Sequence, residues 1–320
     1  MKTPTAFLLM LVLGVIGAVA VWRLAPESTL HKSPRGIEVV ESKLILAGHP
    51  ATFALAHALA ARTSLQVSSA WPAGTPWAEQ AEVARHSSRA WQTEARRAFA
   101  VVTLRHAARG DALFPVVRAL NPQVVEIDAS VAADQQTPSV RLRAENVMTP
   151  SFVLSPTNAI RLAERIAADF TALQPGDAAV IAQNLRATKE RWLRLKAKFE
   201  KAFALVAAPE VVVFSGEFDY LCEDFGVQIV ERFETDFARW STEERTTNIQ
   251  RLQRSGVRVS LHAFPPNAEL AALLAQAKVK PIVLDPLSRA ETESEAFFKK
   301  LEFNLTTLSA TLGPQEIRQK

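Results

Sequence analysis

The order of apolar and polar positions changes character several times along the chain. Behind Met1-Lys2, Ala6 to Trp22 is an unbroken apolar run closed by Arg23. Further on, short β-branched runs alternate with segments whose apolar residues recur every three or four positions. The runs at Lys43–Ala47, Ser64–Ser68, Ala100–Leu104 and Gln123–Ile127 predict buried strands, and helical patterns at Ala51–Arg62, Trp77–Arg97 and Ala112–Leu120 separate them. The same alternation returns after Pro209. Strand-like runs occur at Glu210–Phe214, Val227–Glu231, Val257–Leu261 and Pro281–Leu284, with helices expected at Phe218–Asp224, Thr242–Ser255 and Asn267–Ala277. Ser241-x-x-Glu244 has the spacing of a capping box, and a last helix runs from near Glu291 to about Leu312.

Between these halves the pattern is purely helical. Pro156–Leu173 is amphipathic and ends at Gln174-Pro175-Gly176. Asp177 then opens a stretch without glycine or proline that reaches Ala208, which at 1.5 Å per residue spans about 45 Å. Its heptads are too irregular for a coiled coil. The predicted fold class is α/β: two lobes, each a mainly parallel sheet flanked by helices, joined by one long rigid helix. The boundaries follow as an N-terminal lobe at 39–174, a linking helix at 175–208 and a C-terminal lobe at 209–320.

Composition and the N-terminal run together predict an exported protein with a soluble globular body. Its 320 residues are 48% hydrophobic and 22% charged, which suits a soluble globular body. The 17 apolar residues at 6–22 are long for a signal core and marginal for a membrane span, and Ala18-Val19-Ala20 offers a small-x-small cleavage site. Residues 1–23 therefore predict a signal peptide or a retained N-terminal anchor, with 24–38 as a linker and a periplasmic or extracytoplasmic location. No cysteine follows the run, which excludes a lipoprotein anchor, and the lone Cys222 has no internal disulfide partner. A net charge of +4 from dispersed basic residues excludes nucleic acid as a partner. No GxSxG, HExxH, GxGxxG or phosphate-binding loop is present, and Ser215-Gly216 has Val213 where a nucleophile elbow needs glycine. A non-enzymatic role is expected.

Ordered short motifs then carry a resemblance. Phe152-Val-Leu-Ser-Pro156 with Asn158-Ala-Ile-Arg-Leu-Ala163, Leu173-Gln-Pro-Gly-Asp177, Val211-Val-Val-Phe-Ser-Gly-Glu-Phe-Asp-Tyr220 with Phe225-Gly226, Gly256–Ser260 and Val283-Leu-Asp285-Pro-Leu recur in one order. Over roughly residues 40 to 312 the chain resembles the metal-type (cluster A-I) substrate-binding proteins of ABC transporters. The resemblance implies two lobes around one rigid helix, zinc or manganese as transported ligand in the cleft, an ABC permease in the cytoplasmic membrane as partner, and a monomer. It also implies histidine ligands at three places, where this chain has Ala73–Trp77, Ser151 and Ser215. Of the implied ligand set only Asp285 is kept at its matching position.

Substitute ligands are sought at strand ends. His49 follows the first strand and reads either as a cleft residue or as a structural cap; His262 closes a strand of the second half. Glu217 and Asp219 lie just after Ser215, where they can offer hard oxygens with Asp285, or simply complement a helix dipole. The metal-site expectation is thus Asp285, His49, Glu217, Asp219 and His262. His57 and His86 read as helix-surface residues, and His106 with Arg105 and Arg109 as an anion-facing rim or a solvated loop. Trp77, Phe152, Phe218 and Tyr220 read as pocket wall or core. Two functions stay open: a metal-uptake binding protein with a remodelled site, or a diverged paralogue that binds another solute or serves a membrane partner.

Overall fold

The computed structural model describes residues 43–131, 140, 150–233 and 240–313. The expected leader, its linker and His31 lie outside the described residues.

Residues 41–320 form one compact unit. The first four strands are β1 (Lys43–Ala47), β2 (Leu65–Ser69), β3 (Ala100–Thr103) and β4 (Val125–Asp128), all paired in parallel in the order β2-β1-β3-β4. The second sheet repeats that order with β5 (Glu210–Val213), β6 (Gln228–Arg232), β7 (Val259–His262) and β8 (Lys280–Val283) as β6-β5-β7-β8. Its register slips once, between Val211 and Val212. In each sheet the strand order reverses beside the first strand, so a crevice opens at the carboxyl ends of β1 and β3 and of β5 and β7.

Helices cover both faces. In the first lobe these are α1 (Pro50–Ala60), α2 (Gln80–Arg85), α3 (Arg89–Arg97), α4 (Leu113–Leu120) and α5 (Pro156–Leu173). In the second they are α7 (Asp219–Asp224), α8 (Thr242–Ser255) and α9 (Ala268–Gln276). Ser241 and Glu244 make the capping box that starts α8, and Gly256 ends it at φ 67°, a left-handed conformation that glycine adopts without Cβ strain. Strand alternation shows directly in the packing. Ile45, Ala47, Val211 and Val213 enter one large central core, whereas Leu46 and Val212 point into smaller clusters on the outer faces.

Two helices tie the lobes together. The linking helix α6 (Ala178–Ala204) buries Ile181, Asn184, Thr188, Trp192, Leu195, Phe199 and Phe203, a stripe spaced by three and four positions. Near its start Asn184 Nδ2 donates to the carbonyls of Leu59 and Ala61, and Asp177 accepts from the Ser64 N–H and hydroxyl. Toward its end Phe199 and Phe203 pack on Phe225. The closing helix α10 (Ala296–Leu312) lies against α6 and α1, so the central core runs through both lobes without a break.

The boundaries differ from expectation by more than two residues in three places. The single helix predicted over Trp77–Arg97 is a 3-10 turn at Trp77–Glu79 and two helices, because the Ser88 hydroxyl accepts from Trp91 N–H and starts a new one. The last helix begins at Ala296 instead of Glu291, since residues 288–290 bond to the other lobe. The linking helix stops at Ala204, four residues short of the predicted end.

One polar knot joins three helices. Asp224, at the end of α7, accepts from Ser155 Oγ (2.7 Å), Thr157 N–H (2.9 Å), Thr157 Oγ1 (2.6 Å) and Lys196 Nζ (2.9 Å), and Lys196 also donates to the Asp224 carbonyl. Burial alone would raise this carboxyl, but those donors outweigh burial and hold it below the usual carboxylate range. Asp224→Ala removes the shared acceptor of two hydroxyls, a backbone N–H and an ammonium, of which Lys196 keeps Glu200 and the residue-224 carbonyl. Urea unfolding at pH 7 should show a loss of about 2–4 kcal/mol. The folded value is the lower one, so this stability is present above the unfolded carboxylate value and fades as pH falls through the folded one.

Candidate functional site

A cavity of about 710 Å³ opens between the loop after β2 and the second lobe. Pro76, Trp77 and Ala78 form its first-lobe side. Glu217, Phe264, Val283, Asp285, Arg289, Lys299 and Phe303 stand on the other. The two sides are stitched by backbone bonds. Gly74 N–H donates to Ala290 O, Ala290 N–H to Thr75 O and Trp77 N–H to Ser288 O, each at 2.8 Å, and Arg289 Nη1 reaches Gly74 O at 3.1 Å.

Of the five proposed ligands, Glu217 and Asp285 border this cavity; His49, Asp219 and His262 do not. Among the described residues no group of three or more His, Cys, Asp or Glu side chains is placed to hold a metal ion. The local bonding gives the reason in each case.

His49 is the N-cap of α1. Its Nδ1 accepts the Ala51 N–H at 3.0 Å while Thr52 Oγ1 accepts the His49 N–H, a reciprocal cap with histidine in the serine role. An imidazole whose Nδ1 accepts carries its proton on Nε2, so its single in-plane lone pair is already used. The ring is 2% exposed, and burial pulls it down to about 3. It meets Trp77 and Phe297 edge-on at 5.4 and 6.4 Å. Both alternatives weighed for His49 are thereby separated: it caps.

His262 closes β7 as expected, buried, with Nε2 2.8 Å from Ser260 Oγ and its face stacked on Phe214 at 4.7 Å. Burial lowers it to about 4. Asp219 opens α7, and Arg232 Nη1 binds both of its oxygens at 2.6 and 2.8 Å. Asp285 accepts from Leu287 N–H, and Lys300 Nζ stands 3.6 Å from its other oxygen. Asn304 clamps its backbone by accepting from Asp285 N–H and donating to Asp285 O.

Around the implied histidine positions the arrangement is emptier of partners. Ser151 starts a 3-10 turn, Ser151–Leu154, that touches the turn Gly216–Phe218 following Ser215. Ser215 Oγ and Glu217 Oε2 are buried without a hydrogen-bond partner among the described residues, and burial raises the Glu217 carboxyl. Elsewhere, His106 donates its backbone N–H to Asp128 and Arg105 pairs with Glu126, so the Arg105 charge of that rim is matched within the protein. Phe152, Phe218 and Tyr220 are core, whereas Trp77 is both core and cavity wall.

The model of the family described as zinc-uptake complex component A, periplasmic (ZnuA), matches residues 57–311. The chain belongs to this family. ZnuA-family proteins are periplasmic ligand-binding components of uptake systems and not enzymes. No curated protein matches the sequence. Among solved structures, a mutant of FpvC from Pseudomonas aeruginosa superposes with a TM-score of 0.66 at 19% identity, over 84% of this chain and 98% of that one. A cadmium-bound periplasmic metal-binding protein from Candidatus Liberibacter asiaticus gives 0.66 at 16% identity over 84% and 99%. Zinc-bound AdcA from Streptococcus pneumoniae gives 0.65 at 20% identity, over 86% of this chain and 58% of that one. These likenesses concern the fold.

Sequence reasoning passed over Phe264, Arg289, Lys299 and Phe303. The available signal was Phe264 two positions beyond a strand-end histidine, and Lys299 and Phe303 one turn apart on one helix face. Both look like ordinary surface until α10 is placed.

The His49 cap generates a pH prediction. A buried histidine lowered from 6.5 to about 3 leaves the unfolded chain holding the extra proton between those values, so its contribution is lost as pH falls below 6.5. Urea unfolding of wild type and His49→Asn from pH 7.5 to 5 should show the wild-type advantage shrinking by about 1.4 kcal/mol per unit below 6.5. A gap that stays constant would mean that His49 titrates normally.

Proposed function

We propose that this ZnuA-family chain is the exported, monomeric solute-binding component of an ABC importer. It holds its ligand in the interlobe cavity and presents it to a permease in the cytoplasmic membrane. N-terminal residues 1–23 supply the export signal or anchor. The observation that carries the ligand reading is the donor set of the cavity. Its charged lining is Arg289, Lys299 and Lys300 against Glu217 and Asp285, and Lys300 stands on Asp285. A zinc or manganese site takes about four nitrogen, oxygen or sulfur donors and repels neighbouring cations. A volume of 710 Å³ with largely apolar walls suits a small organic solute instead.

One observation favours the second reading, a divalent metal ion of the kind bound by the structural relatives. Ser215 Oγ and Glu217 Oε2 are buried acceptors without partners among the described residues, with Asp285 in the same cleft region as Glu217. Hard-oxygen coordination by these side chains, after displacement of Lys300, would satisfy them.

Thermal unfolding of metal-stripped protein titrated with zinc and manganese separates the two. Binding to the native state raises the midpoint by mass action, so the solute reading expects no saturable rise up to about 1 mM metal. A saturable rise that Asp285→Ala abolishes would establish the metal reading in its place.

A further inference from the structure

We infer that the cleft selects an organic anion with an aromatic or apolar body and a hydroxyl or N–H group at its far end. This rests on the solute reading above and names the chemical class.

Three independent features of the cavity converge on it. The first is apolar surface left in water. Phe264, Val283 and Phe303 are 65%, 42% and 69% exposed, and all three stand on one cavity. They come from three separate elements: the loop after β7, the end of β8 and the middle of α10. Large apolar side chains rarely gather in water at one concave place without an occupant. Trp77 faces them from the first lobe with its ring fixed by His49.

The second is positive charge that no ion pair among the described residues holds. Lys300 is neutralised by Glu291 and Asp285. The Lys299 ammonium makes no ion pair or side-chain hydrogen bond among the described residues, although it helps to hold the Glu295 carboxyl low, and Lys299 lies one helical turn from Phe303 on the same face. Arg289 points its guanidinium at a neutral carbonyl, Gly74 O, which leaves its charge unmatched. Lys299 and Arg289 thus offer an anion two donors beside aromatic walls, and give a metal cation nothing.

The third is the buried Glu217 Oε2, an acceptor with no donor among the described residues. A hydroxyl or N–H on the solute would satisfy it, and would fix which end of the solute enters first.

Indole-3-acetate, indole-3-acetamide and tryptamine share one ring and one N–H and differ in charge, so they serve as probes. Calorimetric titration of the full chain should show the acetate binding about ten-fold or more tighter than the amide, with tryptamine weakest. Lys299→Gln should abolish the preference of acetate over amide. The double variant Phe264→Ser with Phe303→Ser should weaken the acetate more than about ten-fold, since ring burial supplies much of the binding. Both changes are at exposed side chains, and an unchanged melting temperature checks that they fold.

Equal affinity for all three probes, preference for tryptamine, or a preference that survives Lys299→Gln would overturn anion selection. If the amide or tryptamine binds best and the double phenylalanine variant loses it, the solute reading stands while the class falls. If none binds up to about 5 mM, the class falls, and a zinc shift dependent on Asp285 in the same preparation removes the solute reading as well.

Discussion

A row of four rings holds this molecule together. Trp192 on the linking helix meets Phe297 on the closing helix at 6.3 Å, Phe297 meets His49 at 6.4 Å, and His49 meets Trp77 at 5.4 Å. The row runs from the linking helix to the wall of the cleft. The two edge-on pairs at His49 add about 0.5–1.5 kcal/mol each beyond the area they bury, and Trp192 meets Phe297 at a tilt. Their larger effect is geometric. They make one core out of what the chain order presents as two lobes, and they set the cleft wall from inside the core and not from a loop. His49 is the hinge of this arrangement, because the same ring caps α1 and joins the row.

The side chains that could have been ligands are spent on architecture. His49 gives its lone pair to Ala51, Asp219 gives both oxygens to Arg232, His262 bonds Ser260, and Asp285 is shared between Leu287 and Lys300. Each of these bonds stabilises the fold with the cleft as it stands. A metal site is built in the opposite way, with donors kept free to converge on the ion. The family's two-lobed frame therefore survives here with four of the five expected ligands engaged by protein partners, while Glu217 Oε2 and the neighbouring Ser215 Oγ have none among the described residues.

Much of the fold was legible because it depends on local periodicity. The apolar runs located all eight described strands to within two residues at either end, and the glycine- and proline-free stretch from Asp177 located the linking helix. The failures occurred where a single side chain overrides the pattern, as Ser88 does by capping a new helix inside a continuous helical signal. The site was less legible. Sequence located His49 and His262 at strand ends, but not their hydrogen bonds, which decide what those rings can do. The pairing of Asp219 with Arg232 crosses thirteen positions and a strand, and no spacing rule announces it. Phe264, Val283 and Phe303 meet only once α10 has folded back across the second lobe, so their convergence is a tertiary fact.

The same core that shapes the cleft also limits how a ligand reaches it. Parting the lobes as rigid halves would tear the central core along α6 and α10 and break the Asp224 knot. The backbone bonds between residues 74–77 and 288–290 are a smaller obstacle, since each contributes about 0.5–1.5 kcal/mol net. Releasing those three costs a few kcal/mol, which is the scale of difference that a ligand supplies by favouring one of two states. The cheapest way into the cavity is consequently at its rim, where Arg289 lines the pocket and also belongs to the stitched segment. An anion drawn to Arg289 would compete with Gly74 O for the guanidinium, so the group that attracts the solute is one that helps hold the rim shut.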